Sequence, residues 1–337
     1  MSGLVLLLSA CAMPHPHSGG VTAGMGVQVS AQPASIGTLD LGPHLRFMGA
    51  VDLTSDDARF GGLSSLRWAA GRLHSLSDQD GTWYSFRPVE RGGVLVGVDE
   101  VRSTSLQDSD GAPLMGKVRS DAEAIDFVDS PCPAASCKPQ AVLVTLERDH
   151  RVLRYAMRRG LPVGTPERLH GLDTWLSRQP DNEGIESLAS TDGETLLISE
   201  GLRAPDGQAS AMLVRPALGT GAVAGSIPLS VPAPGDHRPS DLVALGGGRY
   251  IMLRRSWSER QGFSVMVEEL VLSESSDGVQ ARTRQLHTFA RPDISENFEG
   301  VAIRREGNRT FLYMIADDNF DPGSRTILAK FALEGLS

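Results

Sequence analysis

Apolar and polar positions along the chain fall into a repeated two-strand pattern. Five segments share it: a polar residue, a short apolar strand, a turn, a second apolar strand, and a polar or charged end. They run from Leu63 to Asp78, Ala122 to Arg148, Ile185 to Glu200, Ser240 to Arg255 and Phe298 to Asp318. A hairpin places its turn midway between its ends. The midpoints are Gly71, residue 135, Asp192-Gly193, Gly246 to Gly248, and Asn308-Arg309 beside Gly307. Each is a plausible turn, and Asp-Gly is a strong one. The two polar ends of each hairpin then lie together, opposite the turn. Which face each side chain takes depends on turn type and stays open at this point.

The anchors Ser64, Glu123, Glu186, Asp241 and Glu299 are 59, 63, 55 and 58 residues apart. Between the hairpins, alternating stretches such as Trp83 to Phe86 and Val94 to Val98 supply third and fourth strands. Radial repetition of four-stranded units is a β-propeller. The prediction is an all-β propeller over residues 37–337 with five blades, a degenerate sixth being the alternative. Strands within residues 39–51 would complete the last blade and close the ring. A β-sandwich or two unrelated β domains is the competing arrangement. Trp68, Trp83, Trp175 and Trp257 are expected to wedge between blades.

Composition narrows the function. The chain has 337 residues, 40% hydrophobic and 22% charged, enough for a real core. Its 37 glycines and 20 prolines suit many turns. A formal charge of −9 argues against nucleic acid, whose phosphates need basic surfaces. Leu4 to Leu8 is apolar, and Leu8-Ser9-Ala10-Cys11 resembles a bacterial lipobox. Residues 1–11 therefore read as an export signal with Cys11 as the lipidated residue, and residues 12–36 as a flexible tether. The expectation is a lipoprotein on the periplasmic side of the bacterial cell envelope, touching membrane only through its anchor. Cys132 and Cys137 then form an even pair in an exported protein, which favours a disulfide closing their small loop.

Several short motifs occur in order: Phe60-Gly-Gly-Leu-Ser-Ser-Leu66, Asp121-Ala-Glu-Ala-Ile125, Asn182-Glu-Gly-Ile-Glu-Ser-Leu188, Asn297-Phe-Glu-Gly-Val301 and Ala316-Asp-Asp-Asn-Phe320. From about Leu45 onward the chain resembles the bacterial phytase-like family, described by an esterase-like activity of phytase and similar in architecture to β-propeller phytases. The resemblance implies a propeller with an acidic channel mouth and calcium-dependent hydrolysis. One departure stands out: Arg254-Arg255 occupies the fourth hairpin where Glu-Arg is expected.

The repeat itself gathers Asp78, Glu123, Glu147, Glu186, Glu200, Asp241, Glu299, Asp317 and Asp318 around one axis. Crowded carboxylates repel unless a cation, protons or arginines compensate. Oxygen ligands in number suit Ca²⁺. Asp78, Glu123, Glu147, Glu200, Asp241, Asp317 and Asp318 are the expected ligands, and Glu186 or Glu299 would activate a water. Arg148, Arg254 and Arg255 would hold an anionic substrate oxygen. No Gly-x-Ser-x-Gly elbow surrounds Ser64, which argues against a serine triad. The function read from sequence is a monomeric, calcium-assisted hydrolase of phosphoesters or carboxyl esters, esterase- or phosphatase-like. The alternatives are a non-catalytic propeller binding a small anion or a protein partner, and a lactonase or sugar-acid enzyme.

Overall fold

The computed structural model describes residues 24–34, 40–128, 138–217, 221–276, 278–291 and 294–336. Cys11, the lipobox, and the Cys132 and Cys137 loop lie outside them. Strands dominate, with two one-turn helices, Lys117–Ser120 and Asp173–Leu176. The strands form five antiparallel sheets. Each is led by the first strand of a repeat: Leu63–Ala69, Ala122–Val128, Ile185–Thr191, Arg238–Gly246 and Phe298–Glu306. Four sheets run outward through four strands in sequence order. The leading strands neighbour one another in a ring, the fifth returning to the first. The protein is a five-bladed β-propeller, and the described residues form no sixth sheet.

The last blade closes the ring. Its strands Phe298–Glu306, Arg309–Ala316 and Thr326–Leu333 come from the C-terminal end, and Leu45–Thr54 completes it. Thr326 pairs with Leu53 and Leu333 with Leu45. Two short strands extend into the segment read as a tether. Met25–Gly26 lies on the outer edge of the first blade, and Ser30–Pro33 pairs with Leu45–Thr54. The cause is an alternation overlooked there: Val27, Val29 and Ala31 pack into the apolar layer between the last and first blades. The tether therefore cannot extend to residue 36.

The turns follow local chemistry. Ala70 and Gly71, and likewise Asp192 and Gly193, take positive φ as a type I′ turn requires. The last hairpin turns at Gly307-Asn308, one residue before its midpoint, because Glu306 pairs with Arg309. Apolar layers between blades hold the ring. Trp83 is fully buried, 6.2 Å from Phe127 of the next blade, and Trp68 stacks on Tyr313 at 6.1 Å between the first and last blades. Burying a large apolar side chain contributes about 1.5–3 kcal/mol. Trp257 differs from expectation: at 64% exposure it wedges between nothing.

Candidate functional site

Every leading strand carries a β-bulge at the same place. The register against the second strand skips one residue at Ser64, Glu123, Glu186, Ser240 and Glu299. A bulge leaves one residue unpaired and re-aims its side chain. Five bulges thus turn Ser64, Glu123, Glu186, Ser240 and Glu299 toward one mouth of the channel. A second ring comes from the ends of the second strands. Asp78, Glu147, Glu200 and Asp317 donate their N–H to the carbonyls of Gly62, Asp121, Gly184 and Asn297. Arg255, paired with Arg238, holds the matching position in the fourth blade. One ring is Ser-Glu-Glu-Ser-Glu; the other is Asp-Glu-Glu-Arg-Asp.

Asp78, Asp121, Glu123, Glu147, Glu186, Glu200, Glu299 and Asp317 are all buried. Burial, reinforced by neighbouring carboxylates, raises the proton affinity of Glu123, Glu186 and Asp317 well above the ordinary range. Burial also raises Glu299 against the pull of Arg255, and lifts Glu147 to about 7. Arg255 bridges the cluster: its guanidinium pairs with Glu299 and lies 3.3 Å from Glu186. Lys117, on the linker between the first two blades, pairs with Asp78 and sits 2.8 Å from Asp121. Arg148 pairs with Asp121 at 2.5 Å and donates to the Asn182 side chain.

A family model described as "Phytase-like: Esterase-like activity of phytase" matches residues 58–320. The chain belongs to the phytase-like family. No curated protein matches it in sequence. Solved structures similar to this phytase-like propeller include the major allergen Mala s 1 of Malassezia sympodialis, at 10% identity and TM-score 0.45, covering 83% of this chain and 97% of that one. Another is the bifunctional GH43-CE of Bacteroides eggerthii, at 11% identity and TM-score 0.42, with 85% and 34% covered. A third is the PQQ-bound aldose sugar dehydrogenase of Streptomyces coelicolor, at 13% identity and TM-score 0.35, with 92% and 100% covered.

Two residues expected at the mouth, Asp241 and Arg254, are engaged elsewhere, and a third, Asp318, stands beside Asp78 and Asp317 with its carboxylate taken up by structural donors. Asp241 is one position past the bulge, which belongs to Ser240, so its carboxylate turns down the channel to Arg67. Arg254 faces away from its neighbour Arg255, as strand alternation requires. It is buried in an ion pair with Glu268 at 2.7 Å. Asp318 is a staple between the last and first blades, accepting from Gly62 N–H at 2.9 Å, Phe320 N–H at 3.1 Å and Thr326 Oγ1 at 3.0 Å. Gly62 has φ +60, and a Cβ there would collide with the Asp78 carboxylate, so glycine lets this corner close. Asp121 and Lys117 join the site beyond the residues expected there, and Asp121 opens the Asp121-Ala-Glu-Ala-Ile125 motif two residues before Glu123.

Below the mouth the channel is blocked. Arg67, 2% exposed, pairs with Asp241 and Asp126 and donates to the carbonyls of Leu66, Leu188, Leu242 and Val301. These partners come from the leading strands of all five blades. A cavity of about 300 Å³ on the turn side, lined in part by Arg67 and Asp126, is thus separated from the acidic mouth.

The mouth offers two groups of three carboxylates whose ligand oxygens lie within 4.8 Å of one another: Asp78, Asp121 and Glu123, and Glu147, Glu186 and Glu200. The first already receives the Lys117 ammonium. In the second, Glu147 accepts the Gly184 N–H at 2.7 Å, while Arg255 approaches Glu186 from one side. Three carboxylates held this close can ligate a metal ion.

Proposed function

We propose that this propeller is a calcium-assisted hydrolase of phosphoester or carboxyl-ester substrates, acting at its acidic mouth. One observation carries the reading: eight buried carboxyl groups share one network with Lys117, Arg148, Arg255 and, through space, Arg238 as its cations. Buried charge left unpaired is strongly destabilising, so this excess favours a further cation. Glu147, Glu186 and Glu200 would hold it, and the bound ion supplies Lewis-acid polarisation of a substrate oxygen.

The chain's own residues supply the rest. Arg255 and Arg148 keep 25% and 35% of their side chains exposed and can bind anionic substrate oxygens. Glu299 lies between the Asn297 amide, at 2.7 Å, and Arg255. Its raised proton affinity suits it to take the proton of the attacking water. The water oxygen bonds to phosphorus or to the carbonyl carbon, and the bond to the leaving oxygen breaks. Asp317, whose proton affinity burial raises, returns a proton to that oxygen. Attachment to the periplasmic side of the envelope through Cys11, and a monomeric state, belong to the same proposal on sequence grounds.

The test is turnover of p-nitrophenyl phosphate and p-nitrophenyl acetate with calcium present, and its loss on chelation. Absence of turnover across a broad ester panel contradicts the reading. One observation favours a second reading, a non-catalytic binder of small anions: Arg255 already engages both Glu186 and Glu299. That reading predicts thermal stabilisation by an anion with no product formed.

A further inference from the structure

We propose that Lys117 is a tethered counter-cation filling a second divalent-cation site, so that the mouth takes one calcium where its carboxylates would otherwise take two. The inference rests on the metal reading above. The Lys117 ammonium lies among Asp78, Asp121 and Glu123, whose ligand oxygens come within 4.8 Å of one another. It pairs with the first two. Glu123 is 7% exposed and has no hydrogen bond or ion pair among the described residues. It feels the Lys117 and Arg255 charges only through space, so the ammonium leaves this carboxylate without a direct ligand. Lys117 and Arg148 together bring two positive charges to these three carboxylates, and a divalent ion in place of the ammonium would bring three.

The way Lys117 arrives supports its being separable from the site. It stands on the one-turn helix Lys117–Ser120, in the linker between the first and second blades. Ser120 Oγ donates to the Gln79 carbonyl at 3.0 Å, and Arg119 pairs with Asp108 at 2.6 Å. Met115 and Val118, on either side of Lys117, are 72% and 70% exposed. Polar contacts therefore dock this part of the linker, with these two apolar side chains left in solvent. Asp78 and Glu123, by contrast, are fixed by blade strands and their ends, and Asp121, which ends the Lys117 helix, is held to the second blade by its carbonyl, which accepts the Glu147 N–H. The carboxylates form a rigid socket, and the ammonium reaches it from a linker.

Equilibrium dialysis against ⁴⁵Ca²⁺, with all proteins purified in calcium, reads the difference. The wild type should bind one ion and Lys117→Gln two, while Lys117→Gln/Glu123→Gln returns to one. Lys117→Arg, which keeps the charge, should stay at one. Should Lys117→Gln fail to fold, Glu123→Gln alone decides: it must leave the wild-type count at one, and losing that ion would overturn the proposal. One ion in both wild type and Lys117→Gln overturns this inference while the metal reading stands. No ion in either contradicts the metal reading, and this inference with it.

Discussion

Arg67 of the first blade grips Asp241 of the fourth across the channel, through hydrogen bonds of 2.8 and 2.9 Å. The same guanidinium reaches the leading strands of the other three blades, so one side chain ties the ring at its axis. Burying it is tolerable because its carboxylates and carbonyls replace water. Asp241 and Asp126 correspondingly strengthen its hold on its proton against the cost of burial.

Removing Arg67 leaves Asp241 and Asp126 buried without their cation. Breaking one side of a buried ion pair costs about 3–5 kcal/mol. Arg67→Met should lower the unfolding free energy by that order in urea, and Arg67→Met/Asp241→Leu should recover part of it. A loss below about 1 kcal/mol would show that the hub is not a tie.

His74 is fully buried between the first two blades, 5.2 Å from the Phe127 ring. Burial pulls it down from 6.5 to about 3. A depressed value means the neutral ring favours the fold. That stability is present above pH 6.5 and is lost as pH falls toward 3, at ~1.4 kcal/mol per unit. His74→Gln, which cannot titrate there, should show a flatter acid limb than the wild type in pH-dependent denaturation. Superimposable limbs would contradict this.

Much of this was legible in the sequence. Five hairpins, the turns of four of them and the closing strand were readable because period-two alternation and Asp-Gly or glycine turns are local signals. The parity at Asp241 was not, because a bulge shifts the strand by one residue without changing its pattern. Reading Ser240 as the equivalent of Ser64 would have required the register. Arg67 carried a faint signal, a lone charge in the apolar run Leu63–Ala69. Its partners are 59 and 174 residues away, and only the closed ring brings them together. Lys117 was hidden in the same way, on a linker with no repeat to align.

Arg255 stands where four other blades place a carboxylate. If it holds substrate oxygens, Arg255→Gln should raise KM for an anionic ester by about tenfold or more, since a charge-assisted hydrogen bond is worth roughly 1.5–3 kcal/mol. Arg255→Lys should restore little, lacking the planar fork. Unchanged steady-state constants would remove Arg255 from the substrate site.

Proton and metal should compete at the mouth. Burial lifts the Glu147 carboxyl from 4.5 to about 7. A carboxyl raised in the folded state stabilises the fold below pH 4.5 and loses that contribution as pH rises through about 7. The Glu147 contribution should therefore make calcium-free protein melt lower at pH 8 than at pH 5.5. Calcium, binding the ionised form, should raise Tm more at pH 8 than at pH 5.5. Differential scanning fluorimetry at the two values checks the sign, and equal calcium shifts would contradict it.

The most direct measurement is the metal content of protein purified without chelators, by elemental analysis of the wild type beside Glu186→Gln and Glu200→Gln. The account predicts one calcium per chain in the wild type and its loss in both variants, with the β-sheet circular dichroism signal retained. A folded wild-type protein free of divalent metal, and unable to take up calcium when it is added, would contradict it.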